Sequence, residues 1–194
     1  MRTDDNRIAD AVTIALDRAR ALTDHAGLVG YGIVELYGPD GELKQVEPFA
    51  NLITTAGDEY YAKKGITGIS PANPSAPTAA SGMKLGTGAT AVAKSGAGAA
   101  LVTYESGSNN LFDATFPSAA AVGGDAGWNA TYKVTWGAGD VTETALTEAV
   151  IVNDAATDAT STAANTYSRV TFTAINKGAS DSLAITWTHK FLGA

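Results

Sequence analysis

Hydrophobic and polar positions follow two different rhythms along this chain. Over residues 5–23, Ile8, Val12, Ala15, Leu16, Ala19 and Leu22 recur at helical spacing and form one narrow apolar stripe. Asp4 or Asp5 can cap the start, Arg18 and Arg20 suit the carboxyl-terminal end of the helix dipole, and Gly27 supplies a stop. So narrow a stripe predicts a helix lying on a surface, either the chain's own sheet or a neighbouring subunit. Ile8, Val12, Leu16 and Leu22 are its candidate interface.

Beyond residue 27 the rhythm shortens. "YGIVELY" (31–37), "GPDG" (38–41) and "ELKQVEP" (42–48) predict strand, turn and strand, with Pro39 presetting the turn and Gly41 accepting a positive φ. "NLITTAGDEYYAKKG" (51–65) predicts a short helix with Thr54 or Thr55 near its cap. "SPANPSAPTAASG" has no period and predicts a loop, part of an insertion at 66–82. "MKLGTG", "ALVTYES" (100–106) and "LFDATFP" (111–117) predict short strands between glycine breaks. In "NATYKVTWG", Tyr132, Val134 and Trp136 share one face; in "SLAITWTHKF", Leu183, Ile185, Trp187 and His189 do. "TALTEAVIVN" and "TYSRVTFTA" supply the strands between them, and "INKGASD" (175–181) a connection.

Several short strands rich in Thr, Val and aromatics predict a mainly β fold, an antiparallel sandwich or barrel. The expectation is an antiparallel β-sandwich, jelly-roll-like or immunoglobulin-like, with an amino-terminal amphipathic helix and one further short helix. Residues 1–27 form an arm, and residues 28–194 the β domain.

Composition changes this picture in one respect. Charged residues are only 17% of the chain, so much of its surface must be Thr, Ser, Asn, Ala and Gly. Such a surface suits burial by neighbours in an assembly. The net charge of -7 and the absence of a basic stripe argue against nucleic acid as a partner. There is no cysteine, hence no thiolate site and no disulfide framework. The amino terminus lacks the apolar core of a signal peptide, and no stretch approaches the roughly 20 apolar residues of a membrane span. The expectation is a soluble chain made in the cytoplasm, with no membrane partner.

Candidate chemistry is sparse. Gly86, Gly88 and Ala91 in "MKLGTGATA" have the spacing of a dinucleotide-binding turn, with Glu105 about where a ribose-binding acid would fall, ~20 residues on. The context lacks the strand and long helix that such a site needs. "LGTG" therefore predicts a turn or bulge at a strand end, with Gly86 or Gly88 in a conformation awkward for other residues and no long helix from Ala89. His25 and His189 are the two histidines, and no serine has a nucleophile context. Asp125, Asp154 and Asp158 lie in polar loops as solvated turn residues rather than an EF-hand, and Glu143 and Glu148 do not form a catalytic pair. Of three tryptophans, Trp136 and Trp187 read as core, and Trp128, beside a glycine break, as a candidate exposed aromatic. No catalytic residue, cofactor or metal is expected.

"PFANLITTAGDEYYAKK", "MKLGTGATA", "TYKVTWGAGDVTETALTEAVIVN" and "YSRVTFTAINKGASDSLAITWTHKF", in this order, resemble segments of small β-rich virion proteins of tailed bacteriophages. Such proteins serve as capsid decoration, neck or minor tail components. The resemblance spans residues 48–191 with gaps and leaves out the amino-terminal helix. It implies a non-enzymatic structural role in a virion assembled in a bacterial host, with phage capsid, neck or tail proteins and copies of itself as partners, possible trimers included. Two other functions are compatible with the residues: a carbohydrate- or receptor-binding module using Trp128, and a hydrolase in which His25 or His189 reaches a carboxylate and a hydroxyl.

Overall fold

The computed structural model describes residues 10, 13–14, 28–66, 78–122 and 127–192. The stripe residues Ile8, Val12, Leu16 and Leu22, together with His25, Asp125 and most of the 66–82 insertion, lie outside the described residues.

Among the described residues, nine strands make one antiparallel sheet, curled into a half-barrel. They are β1 (Leu28–Tyr37), β2 (Leu43–Ile53), β3 (Gly82–Gly86), β4 (Asn110–Leu111), β5 (Ser118–Ala121), β6 (Gly127–Trp136), β7 (Glu143–Val152), β8 (Thr166–Lys177) and β9 (Ser182–Leu192). Helix α1 (Thr55–Ile66) follows β2, and Asp10, Thr13 and Ile14 are helical as well. The strand order is β4-β3-β7-β8-β2-β1-β9-β6-β5. The sequence predicted two facing sheets, whereas hydrogen bonding joins all nine strands. The join is β2: it pairs with β1 from Gly30 to Tyr37, then hands its last residues to β8 through Leu52 opposite Arg169 and Ile53 opposite Ser168.

The period-two patterns become the inner face. Leu183, Ile185 and Trp187 of β9 stand opposite Trp136, Val134 and Tyr132 of β6, and all six are buried. Met83 and Leu85 of β3, Ile151 of β7 and Val170 of β8 close the same core from the other half. Full burial of a large apolar side chain contributes about 1.5–3 kcal/mol, so this face dominates the stability of the fold.

Helix α1 is positioned by its cap. Thr54 accepts the Gly57 N–H at its Oγ1 (3.1 Å) and donates its own N–H to the Tyr167 carbonyl (3.1 Å). Gly57 lies so close to β8 that an added Cβ would sit 2.2 Å from the Tyr167 carbonyl oxygen. The helix thus rests directly on the sheet. Tyr60 stacks on Tyr167 with ring centres 4.6 Å apart, and Tyr61 meets Phe191 edge-on at 5.2 Å.

Several boundaries differ from the sequence pattern for local chemical reasons. "NLI" completes β2 rather than starting the helix, and β8 runs on to Lys177, leaving a tight turn closed by the Asp181 N–H on the Gly178 carbonyl. "ALVTYES" forms no strand beyond one bridge from Tyr104 to Gly86, because the N–H groups of Val102 and Thr103 go to the Glu148 carboxylate. In "LFDATFP" only Leu111 is in a strand, since Asp113 accepts the Thr135 N–H and hydroxyl and turns the chain aside. β5, "SAAA", carries no alternation to announce it.

Candidate functional site

One end of the half-barrel presents an open sheet edge with an aromatic beside it. Trp128 on β6 is 57% exposed, flanked by Ala121 of β5 and Phe191 of β9. Phe191 is half-buried because the Tyr61 ring of α1 packs on it. Trp136 and Trp187 are sealed in the core.

β5 is the outermost strand at this end, and all four of its residues are exposed. The Val122 N–H donates to the Gly127 carbonyl (3.1 Å), which sets the phase of the ladder. In an antiparallel pair every second residue bonds to its neighbour. Ala120 and Ser118 therefore face β6, while the backbone N–H and carbonyl groups of Ala119 and Ala121 point outward. No pattern in the sequence marks this edge; its only signal is a charge-free run, Ser118 to Val122, directly after Pro117.

The interior holds a second group of polar side chains, all turned inward. Trp187 Nε1 donates to Asn51 Oδ1 (2.8 Å), and Asn51 Nδ2 donates to Ser168 Oγ (3.2 Å). Ser168 Oγ bonds His189 Nε2 (2.9 Å), His189 Nδ1 bonds the Tyr61 hydroxyl, and that hydroxyl meets Tyr132 at 2.8 Å. Burial pushes His189 down to about 3, so its imidazole is neutral. Burial likewise raises Tyr61 well above the phenol range and Tyr132 to about 12. This relay joins β2, β8, β9, β6 and α1. It contains a serine and a histidine in contact, but no carboxylate, and Ser168 and His189 have no exposed surface. A hydrolytic nucleophile needs access to substrate and a base that titrates near neutrality, and the geometry here supplies neither. It fastens the helix to the sheet.

The glycine-rich turn has an occupant of its own. Gly88, Val102 and Thr103 direct their N–H groups to Glu148 Oε1 at 3.0, 3.0 and 2.9 Å. The turn that sequence spacing compared with a phosphate cradle thus holds a carboxylate from β7. An added Cβ at Gly86 would lie 2.2 Å from the Thr103 carbonyl, and one at Gly88 would lie 2.4 Å from Glu148 Oε1. Neither glycine has a positive φ, which corrects the sequence expectation: space, not backbone twist, requires glycine here. No helix begins at Ala89; the nearest is one 3-10 turn at Gly96–Ala99.

Among the described residues, the candidate carboxylates Asp154 and Asp158 are occupied by protein donors. Asp154 lies 3.1 Å from the buried Lys84 ammonium and accepts from Asn165 Nδ2 (2.6 Å). Asp158 accepts from the Tyr104 hydroxyl (2.6 Å) and the Gly107 N–H (2.9 Å), and these bonds hold its carboxyl below the usual range. Among the described residues no group of three or more His, Asp or Glu is arranged to hold a metal ion. Among the same residues no helix is long and apolar enough to cross a membrane.

Comparison of the chain with protein-family models, curated proteins and solved structures finds no match. The functional reading therefore rests on the chain's own geometry and on the resemblance of its segments.

Proposed function

We infer that this chain is a non-enzymatic structural component of a phage virion, binding the particle and copies of itself as a capsid decoration or neck accessory. The observation that carries the reading is the exposed, charge-free edge at β5 with Trp128 beside it. An open edge recruits strands, and soluble monomeric proteins blunt such edges with charges, prolines, bulges or short strands; β5 is four residues long and follows Pro117, but Ser118 to Ala121 themselves carry no charge, proline or bulge. A low-charge surface and the order of the segments resembling virion proteins support the same reading. The amino-terminal stripe from Ile8 to Leu22 is the element proposed to dock on the particle.

Proteomics of purified particles tests the role: the chain is expected as a stoichiometric component, and its absence from intact particles overturns the reading. Deleting residues 1–27 is expected to leave a folded β domain that no longer joins the particle. Normal incorporation of the truncated chain removes the docking role of the helix while leaving the structural role standing.

A second reading, a carbohydrate- or receptor-binding module, is favoured by the exposure of Trp128, since an open indole face stacks on sugar rings. The surrounding tyrosines speak against it, because the Tyr61 and Tyr132 hydroxyls are turned inward to the His189 relay. Glycan-array binding lost in Trp128→Ala would establish this reading; an array without hits removes it.

A further inference from the structure

We propose that β5 is a self-pairing edge, through which two copies of this chain join antiparallel about a two-fold axis at Ala120 and fuse their sheets into one. The inference rests on the self-associating part of the virion reading and names the surface that carries it.

The backbone argument comes first. Ala119 and Ala121 direct their N–H and carbonyl groups away from β6, as the Val122 to Gly127 bond requires. Placing a second β5 antiparallel sets Ala119 of one copy opposite Ala121 of the other, and the reverse. Both outward donors and both outward acceptors of each copy are then satisfied. An isologous contact needs a self-complementary patch, and a strand with equivalent residues on either side of its centre is one.

Side chains and charge point to the same occupant. The chain carries a net charge of -7, so copies repel over most of their surface, whereas Ser118 to Val122 carries no charge. The strand presents only methyl groups and one hydroxyl, so its own side chains do not obstruct close approach. Trp128 lies on the same face as Ala121, its non-hydrogen-bonded and therefore closer neighbour. In the paired sheet its indole can reach over Ala121 toward Ala119 of the other copy, which would cover apolar surface now 57% exposed on Trp128. The opposite edge of the sheet offers no equivalent, because β4 is only two residues long, Asn110–Leu111. A homodimer paired at β5 leaves those stubs as its outer edges.

The experiment uses the full chain and its lack of native cysteine. Size-exclusion chromatography with light scattering is expected to give twice the chain mass of 19.7 kDa. Ala121→Pro removes one outward N–H without touching a bond to β6, so it is expected to give a monomer with unchanged circular dichroism. Ala120→Cys places the two thiols across the axis in a non-hydrogen-bonded pair, where the Cα spacing of about 4.5 Å lies within the range a disulfide spans. With oxidised glutathione it is expected to cross-link to a dimer at least ten times faster than Asp40→Cys, placed in the exposed β1–β2 turn. A monomeric native chain, a trimer, a dimer that survives Ala121→Pro, or cross-linking no faster than at Asp40 each overturns the proposal. A monomer that still needs the β5 edge to join particles assigns the edge to a foreign strand and equally overturns it. A monomeric native chain also removes self-binding from the proposed function, while membership of the particle stands or falls on the proteomics.

Discussion

Glu148 of β7 and Arg169 of β8 form an ion pair, Oε2 to Nη2 2.7 Å, in which neither side chain has any solvent exposure. The pair organises a loop. Arg169 also donates to the carbonyls of Thr90 (3.0 Å) and Gly98 (3.1 Å), while Glu148 takes the N–H groups of Gly88, Val102 and Thr103. Two further side chains complete the loop's bonding: Ser161 Oγ accepts the Leu101 N–H (2.9 Å), and Thr147 donates its hydroxyl to the Gly88 carbonyl (2.9 Å).

Removing one partner leaves a buried charge without its counter-ion, at a cost of about 3–5 kcal/mol. Glu148→Leu is expected to be the worse of the two single changes, because it also strips the acceptor from three backbone N–H groups. Arg169→Leu leaves those N–H groups bonded. The double variant is expected to lose less than the sum of the singles, as coupled sites do. Urea unfolding of the four proteins gives the comparison.

Gly88→Ala forces a methyl group to within 2.4 Å of Glu148 Oε1, which cannot retreat because Arg169 and three N–H groups hold it. A loss of about 1–3 kcal/mol is expected, the usual cost of overpacking. Gly65→Ala makes a useful contrast. Nothing lies within 4 Å of its added Cβ, and it sits in the last turn of α1. There the substitution is expected to raise stability by up to about 1 kcal/mol.

The buried histidine predicts an acid-side loss of stability. His189 titrates at about 3 in the folded protein against 6.5 when exposed, so between these values the unfolded chain binds more protons. Its contribution is fully present above pH 6.5 and declines as pH falls toward 3, by up to about 1.4 kcal/mol per pH unit. His189→Gln is expected to flatten that part of the profile even though it lowers the plateau. Urea midpoints measured between pH 7.5 and 4 check the slope. A native profile that is flat over this interval contradicts the buried relay.

Two tryptophans separate surface from core. Trp187→Ala is expected to cost about 3–5 kcal/mol, since the ring is fully buried against Phe49 with centres 4.9 Å apart. Trp128→Ala is expected to change stability by less than about 1 kcal/mol, because most of its surface already meets water. Thermal unfolding ranks them directly.

The parts of the fold legible in the sequence are those written in short periods. Alternation in "TYKVTW" and "SLAITW" placed Tyr132, Val134, Trp136, Leu183, Ile185 and Trp187 on one face, and that face is the core. The turns at Gly41 and Gly178, and the cap near Thr54, are equally local. The boundaries missed were those decided by a distant side chain. "ALVTYES" has a strand's composition, yet Glu148, more than forty residues on, takes its N–H groups. "SAAA" has no period at all and becomes a strand because β6 lies beside it.

The sequence by itself determined that this chain forms antiparallel β structure with one face buried, because a two-residue period is a property of neighbouring residues. Only the tertiary structure decided which strands meet, that β2 joins the two halves into a single half-barrel, and that Trp128 and the β5 backbone stay open while His189, Glu148 and Arg169 are sealed. Those outcomes depend on contacts between residues far apart in the chain, and the free energy of a buried charge or an open edge depends on what finally packs against it, which no local pattern contains.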